Sequence, residues 1–343
     1  MQQRGNSIKH GILCVFFLFV FISFFSACTQ EPTKLPVDEV TLQLSWKHQA
    51  QFAGFYAADL NGFYRDESIH VTLRPTEAPG FDLVNAVVSG DAEFAITDGA
   101  GLIIARSHKL PVTGIAAIYQ RTPLSFISLK ENGIRHPQDF VGKRFRTLNP
   151  GGAAIIFHAF LKKHNIDQRD IVFLDVGYDL NRLFSGEIDV WAGYAINEVL
   201  VARQKGIAIN EIKPNDFGID TMGDTLFTSD ILLKTNPDLV LRFVRATLRG
   251  WQWAVEHPQD AAKMALQFDD TLDSAHQITM LQASIPYIQA TAPIGVMDKA
   301  VWRDVHDAIL DQELIEKPLN LHTIFSNSFV EQVYRDSQNA HSK

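Results

Sequence analysis

The alternation of short apolar strands with helices along residues 40–268 predicts an α/β protein built as two lobes. Three observations carry that reading. Strand-helix units follow one another from Val40 onward, the grammar of sheets with parallel strands. One unit occurs twice: "DLVNAVVSGDAEFAITDGAGLIIARSHK" at 82–109 and "DLNRLFSGEIDVWAGYAINEVLVARQKG" at 179–206 both read as helix, Ser-Gly, buried strand, polar turn and a helix containing Ala-Arg. Two copies predict paired lobes and not a solenoid. The length, 343 residues with 46% hydrophobic residues, suits about two domains.

The N-terminus is different in kind. Arg4, Lys9 and His10 precede the apolar run "GILCVFFLFVFISFF", which ends at "SAC". That layout is a signal peptide over residues 1–27, too short for a confident transmembrane span. Phe25 to Cys28, "FSAC", resembles the lipobox of bacterial lipoproteins, although Phe25 stands where leucine is commoner. Cys28 is then the lipidated first residue of the mature chain, and Thr29 to Glu39 a polar tether. Of the two cysteines, Cys14 leaves with the signal, so no disulfide is expected.

"VTLQLSW" reads as the first strand, followed by a helix with Phe52, Phe55, Tyr56, Leu60 and Phe63 at near-helical spacing and Gly62 as its punctuation. "IHVTLRP" is a strand, "FDLVNAVVSG" a helix, "AEFAIT" a strand and "DGAGLIIARSHK" a helix opened by Asp98. Apolar strands then flank Thr122 and Pro123, and "GKRFRTLNPGGAAIIFHAFLKKHNI" is strand, glycine-rich turn and helix. A further strand follows Asp224, ahead of a strongly helical C-terminal third. The chain thus crosses twice between lobes: residues 40–126 and 224–343 form lobe 1, and residues 127–223 form lobe 2. The net charge of −8 without a basic run gives no footprint for nucleic acid. No zinc spacing or nucleophilic triad is present, so neither metal nor cofactor is expected.

Four stretches, "LSWKHQAQFAGFYAADLNGFYRDESIHV", "SGDAEFAITDGAGLIIARSHKLPVTGIAAI", "LNPGGAAIIF" and "GEIDVWAGYAINE", resemble in that order the periplasmic substrate-binding proteins of ABC importers. The likeness is to the NMT1/THI5-like group, which includes thiamin-pyrimidine precursor binders and yeast pyrimidine synthases, and it extends to about Phe268. It implies the type II periplasmic binding protein fold, with two lobes, two crossing hinge segments and a ligand held in the cleft between them. It also implies permease and ATPase partners, a monomer at the outer face of a bacterial membrane, and no chemistry of its own. The synthases carry a cysteine-rich motif where this chain has "NPGGAAIIF" and a histidine near the turn where it has Asp98, so catalysis is not expected.

Within that frame the turns after the strands lie at the carboxyl edges of the sheets, where α/β folds bind ligands. Trp46 offers a stacking face, and Gln49 and Gln51 offer amides for ring nitrogens or carbonyls; core packing and helix capping are the alternatives. Tyr56 is the residue of the first helix placed nearest the cleft. Asp98 and Gly99 open a helix in lobe 1, with capping an equal explanation for Asp98. Asn149, Gly151 and Gly152 form the matching turn of lobe 2, where a helix N-terminus favours acceptor or anionic atoms. Tyr194, Asn197 and Glu198 put an aromatic, an amide and a carboxylate within five residues; Tyr194 and Glu198 occupy positions that line the cleft in the family. Tyr119 and Thr122 on one crossing and Asp224 on the other complete the set. No arginine is among its best members, so a flat nitrogen heterocycle such as a pyrimidine thiamin precursor is expected. Sulfonate, nitrate or riboflavin binding, or sensing for a membrane kinase, are the alternatives.

Overall fold

The computed structural model describes residues 36–76, 80–148 and 151–341; the expected signal peptide, Cys28 and the expected tether up to residue 35 lie outside them. Ten strands are present among these residues: β1 Asp38–Gln43, β2 Ile69–Arg74, β3 Phe94–Thr97, β4 Val112–Ala117, β5 Leu124–Leu129, β6 Arg144–Arg146, β7 Val172–Leu174, β8 Trp191–Tyr194, β9 Ile209–Ile212 and β10 Thr225–Ser229. One sheet has the order β2-β1-β3-β10-β4. β1 runs parallel to β2 and β3, whereas β10 is antiparallel to both β3 and β4. The expectation of parallel sheets therefore needs a correction. β10 is the strand by which the chain re-enters the first sheet from the second crossing, and it arrives against the direction of its neighbours.

The second lobe repeats this plan. β6 and β7 pair in parallel, a parallel bridge Phe145–Val190 joins β6 to the lead of β8, and β5 lies antiparallel between β8 and β9. Written across that bridge, the order β7-β6-β8-β5-β9 matches the first sheet strand for strand. In each, the fourth strand is the one that enters from a crossing. The repeated sequence unit thus reflects one plan used twice, down to the strands β3 and β8 and the helices Gly99–Ser107 and Glu198–Gln204 that follow them.

The crossings run side by side. Thr122 N–H donates to Thr221 O (2.8 Å), Gly223 N–H to Tyr119 O (2.9 Å), and the N–H groups of Ile118 and Tyr119 to Asp224 O (2.8 and 3.0 Å). An Arg121–Asp220 ion pair ties the same two segments. Gly223 allows the approach, since a Cβ there would stand 2.9 Å from Tyr119 Cβ.

The first lobe is the larger because the C-terminal helices pack on it. The helix Pro237–Glu256 lays Phe243, Val244 and Trp251 on the helix Ala53–Leu60 and the first sheet. Gly54 and Gly250 let these helices cross closely: a Cβ on Gly250 would lie 2.2 Å from Gly54 O, and one on Gly54 would lie 2.1 Å from the Trp251 ring. Gly250→Val should therefore cost about 1–3 kcal/mol through overpacking and lower the melting temperature, outweighing any gain in helix propensity. Thermal unfolding checks this, and an unchanged midpoint would contradict the close crossing. Among the described residues, no helix is long and apolar enough to cross a membrane.

Candidate functional site

The strand directions send the turns after β1 and β3 in one lobe, and after β6, β7 and β8 in the other, to carboxyl edges that meet. β1 ends at Gln43, so Trp46 lies in the turn beyond it and not in the strand. It is partly buried, and its ring meets that of Tyr178, from the turn after β7, at 5.2 Å and 47°. The two glutamines do not cap the following helix. Gln49 carries no capping side-chain bond. It donates instead from Nε2 to Gln51 Oε1 (2.6 Å), and Gln51 Nε2 donates to Asp224 Oδ2 (2.7 Å). Tyr119 supports this chain from below, its hydroxyl donating to Gln51 O (3.2 Å).

Asp98 closes the same edge from β3. Its Oδ1 accepts from Gly101 N–H (2.9 Å), an N-cap for the helix Gly99–Ser107. The carboxylate also lies against the first residue of the helix Gly152–Lys163 in the other lobe: a Cβ on Gly152 would be 1.7 Å from Asp98 Oδ2. Gly99 is buried behind it, and Gly151 is exposed at the lip of the turn. Asn149 falls outside the described residues.

From β8, Glu198 folds back across Gly193 and accepts from Tyr194 N–H at Oε2 (2.7 Å). Burial raises the Glu198 carboxyl, while the backbone N–H of Tyr194 and the nearby Arg146 guanidinium pull it down. Tyr194 is held well above its ordinary value, first by burial and then by the negative charges of Asp224, Asp98 and Glu198. That set spans both lobes, so Tyr194 sits where they come together. Three of the expected residues do other work. Tyr56 is fully buried, its ring stacked on Phe268 at 4.5 Å and its hydroxyl accepting from Gln49 N–H (3.2 Å), which makes it a wall behind the turn. Asn197 Oδ1 faces His276 Nε2 at 2.9 Å, joining the helix Glu198–Gln204 to the helix Ser274–Ile288. Thr122 Oγ1 accepts from Leu124 N–H (3.3 Å) and stays within its crossing.

Sequence reasoning passed over Arg146 and Tyr178. Arg146 ends β6, and its guanidinium lies between the rings of Tyr178 (4.6 Å) and Trp191 (4.8 Å). Both residues stand at the carboxyl edge of a strand, the same signal that singled out Trp46 and Asp98.

Asp224 is 6% exposed, and desolvation pushes its carboxyl up to about 7, with Gln51 opposing and Asp98 adding to the rise. An unfolded aspartate titrates near 3.8, so the folded protein holds this proton across the interval. The associated stability is complete below about 3.8 and is lost as pH rises through 7, by up to about 4 kcal/mol. Asp224→Asn keeps an acceptor for Gln51 and removes the titration. The variant should therefore melt above the wild type at pH 8, and the difference should shrink towards pH 4. A constant difference across that range would contradict the assignment.

The arrangement resembles known proteins in both sequence and shape. The NMT1/THI5-like family profile matches residues 49–261. A riboflavin-binding protein of Chloroflexus aurantiacus is 28% identical over 313 residues, covering 86% of each chain. A formylaminopyrimidine-binding protein of Halalkalibacterium halodurans is 25% identical over 303 residues, 85% of this chain and 90% of that one. A 4-amino-5-hydroxymethyl-2-methylpyrimidine phosphate synthase of Legionella pneumophila is 24% identical over 298 residues, 85% of this chain and 92% of that one. Among solved structures, an alkanesulfonate-binding protein of Xanthomonas axonopodis pv. citri superposes with a TM-score of 0.66 at 14% identity, over 85% of this chain and all of that one. With its paired sheets, its two crossings and a family profile spanning most of the described chain, this protein belongs to the NMT1/THI5-like family and has the periplasmic binding protein fold.

Proposed function

We propose that this chain is the extracytoplasmic solute-binding component of an ABC importer, capturing a small planar heterocycle between its lobes and delivering it to permease and ATPase subunits. The observation that carries the reading is the meeting, at one seam, of aromatic faces and hydrogen-bonding side chains from both lobes: Trp46 and Gln51 from one, Tyr178, Tyr194 and Glu198 from the other. A flat ring needs a face to stack on and an edge contact to fix its orientation, and this seam supplies both. The ligands named for the riboflavin and formylaminopyrimidine relatives are flat nitrogen heterocycles, which supports the same class here.

Binding is preferred over synthesis although some relatives are synthases. The mature sequence has Cys28 as its single cysteine, and the turn "NPGGAAIIF" has none of the cysteines that the synthases carry there. The signal-peptide layout and the lipobox-like "FSAC" support a lipid-anchored protein at the outer face of a membrane. Native mass spectrometry of protein isolated from its own host tests the function. A co-purified aromatic nitrogen heterocycle is the expected result. A co-purified sulfonate or other anion would overturn the reading.

A further inference from the structure

The proposed function leaves one buried cation unexplained. Arg146 is 8% exposed and pinned between two aromatic rings, yet among the described residues no carboxylate pairs with it. Its Nη1 donates to Thr147 O (3.2 Å) and its Nη2 reaches Ala192 O at 3.5 Å. Its Nε is buried and has no hydrogen-bond partner. A desolvated guanidinium with a spare donor is costly, and such groups are ordinarily matched by an acceptor. Glu198 feels the Arg146 charge although the two form no ion pair. Glu198 Oε2 accepts from Tyr194 N–H, and the Trp191 side chain and its own backbone N–H also hydrogen-bond its carboxylate.

We propose that Arg146 and Glu198 read one edge of the ligand, an edge that carries a hydrogen-bond acceptor beside a donor, as a lactam (C=O next to N–H) or an amidine does. This inference rests on the reading of the seam as the ligand site. Arg146 donates to the acceptor, Glu198 accepts from the donor, and the aromatic rings on either side of the guanidinium keep it from swinging away. The same pair rejects simple anions. A sulfonate satisfies Arg146 but brings its negative charge among Glu198, Asp98 and Asp224, whose charges already reinforce one another around Tyr194. A neutral ring with a lactam or amidine edge satisfies both side chains without adding charge. Arg146 is thus a specificity-determining residue for the ring edge, distinct from the stacking groups.

The test compares a flavin with its N3-methylated derivative, and a 4-aminopyrimidine with its dimethylamino derivative, by calorimetry on the mature chain. Each methylation keeps the ring face and removes the donor from the edge. Wild type should bind the methylated member of at least one pair about tenfold or more weakly. In Glu198→Gln that discrimination should shrink. In Arg146→Gln the affinity for the unmethylated ring should fall by a similar factor, with the melting temperature recorded to separate lost contact from lost fold. Equal affinity for both members of every pair on wild type, a measurement that needs no substitution, overturns the edge assignment while leaving heterocycle binding intact. Failure of wild type to bind any of these rings overturns the proposed function, and this inference with it.

Discussion

Glu198→Gln should weaken heterocycle binding by about ten- to a hundredfold, the equivalent of roughly 1.5–3 kcal/mol for a charge-assisted hydrogen bond. The substitution is nearly isosteric, and Gln retains an oxygen for the Tyr194 N–H at 2.7 Å, so the turn after β8 should keep its shape. What changes is the charge offered to a ring N–H and the balance with Arg146. Trp46→Ala removes the stacking face instead and leaves Tyr178 without its ring partner at 5.2 Å. It should lower affinity for flavins and aminopyrimidines alike, because stacking is indifferent to which edge atoms the ring carries. Calorimetry on both variants reads the effects directly. Unaltered affinity in both would return Trp46 and Glu198 to packing and local backbone support.

Gly152→Val should abolish ligand-driven compaction. The first turn of the helix Gly152–Lys163 lies under the Asp98 carboxylate, with a Cβ placed 1.7 Å from Oδ2 and 2.0 Å from Cγ. A side chain at 152 fits only if Asp98 rotates or the lobes separate. Rotation gives up the bond from Gly101 N–H that caps the helix Gly99–Ser107, a cap worth about 0.5–2 kcal/mol. Separation keeps the cap and holds the seam open, so residues from opposite lobes no longer reach one ring together. Solution scattering with and without a saturating flavin or aminopyrimidine should show a smaller radius of gyration on binding in wild type and no change in Gly152→Val. The same compaction in the variant would show that Asp98 yields freely, and that Gly152 is not what permits closure.

Much of the fold was legible because the pattern is local. Val40 to Gln43, Ile69 to Arg74 and Phe94 to Thr97 announce strands by their own alternation or apolar runs, and Gly62, with φ at 78°, breaks the first helix where the sequence marks it. The duplicated unit was visible at 82–109 and 179–206, and the sheets show that it reflects a shared strand order. The direction of β10 was not legible, since no local pattern tells a strand which way its neighbours run. The site was legible only by edge position. Trp46, Gln51, Asp98, Tyr194, Glu198 and Asp224 do come together across the seam, but the sequence offered no means of seeing that Gln51 would be spoken for by Asp224 or Asn197 by His276. Arg146 was hidden by its setting, because "GKRFRTLN" reads as an exposed basic strand until the fold packs two aromatic rings around one of its three cations.

The central claim, that the seam between the lobes selects flat neutral heterocycles over anions, is tested most directly by calorimetric titration of the mature chain at pH 7 with a flavin, an aminopyrimidine and an alkanesulfonate side by side. The arrangement of Trp46, Tyr194, Arg146 and Glu198 predicts saturable binding of at least one heterocycle with a sulfonate at least a hundredfold weaker, a gap of roughly 3 kcal/mol. A sulfonate that binds as tightly as the best heterocycle, or more tightly, would contradict it.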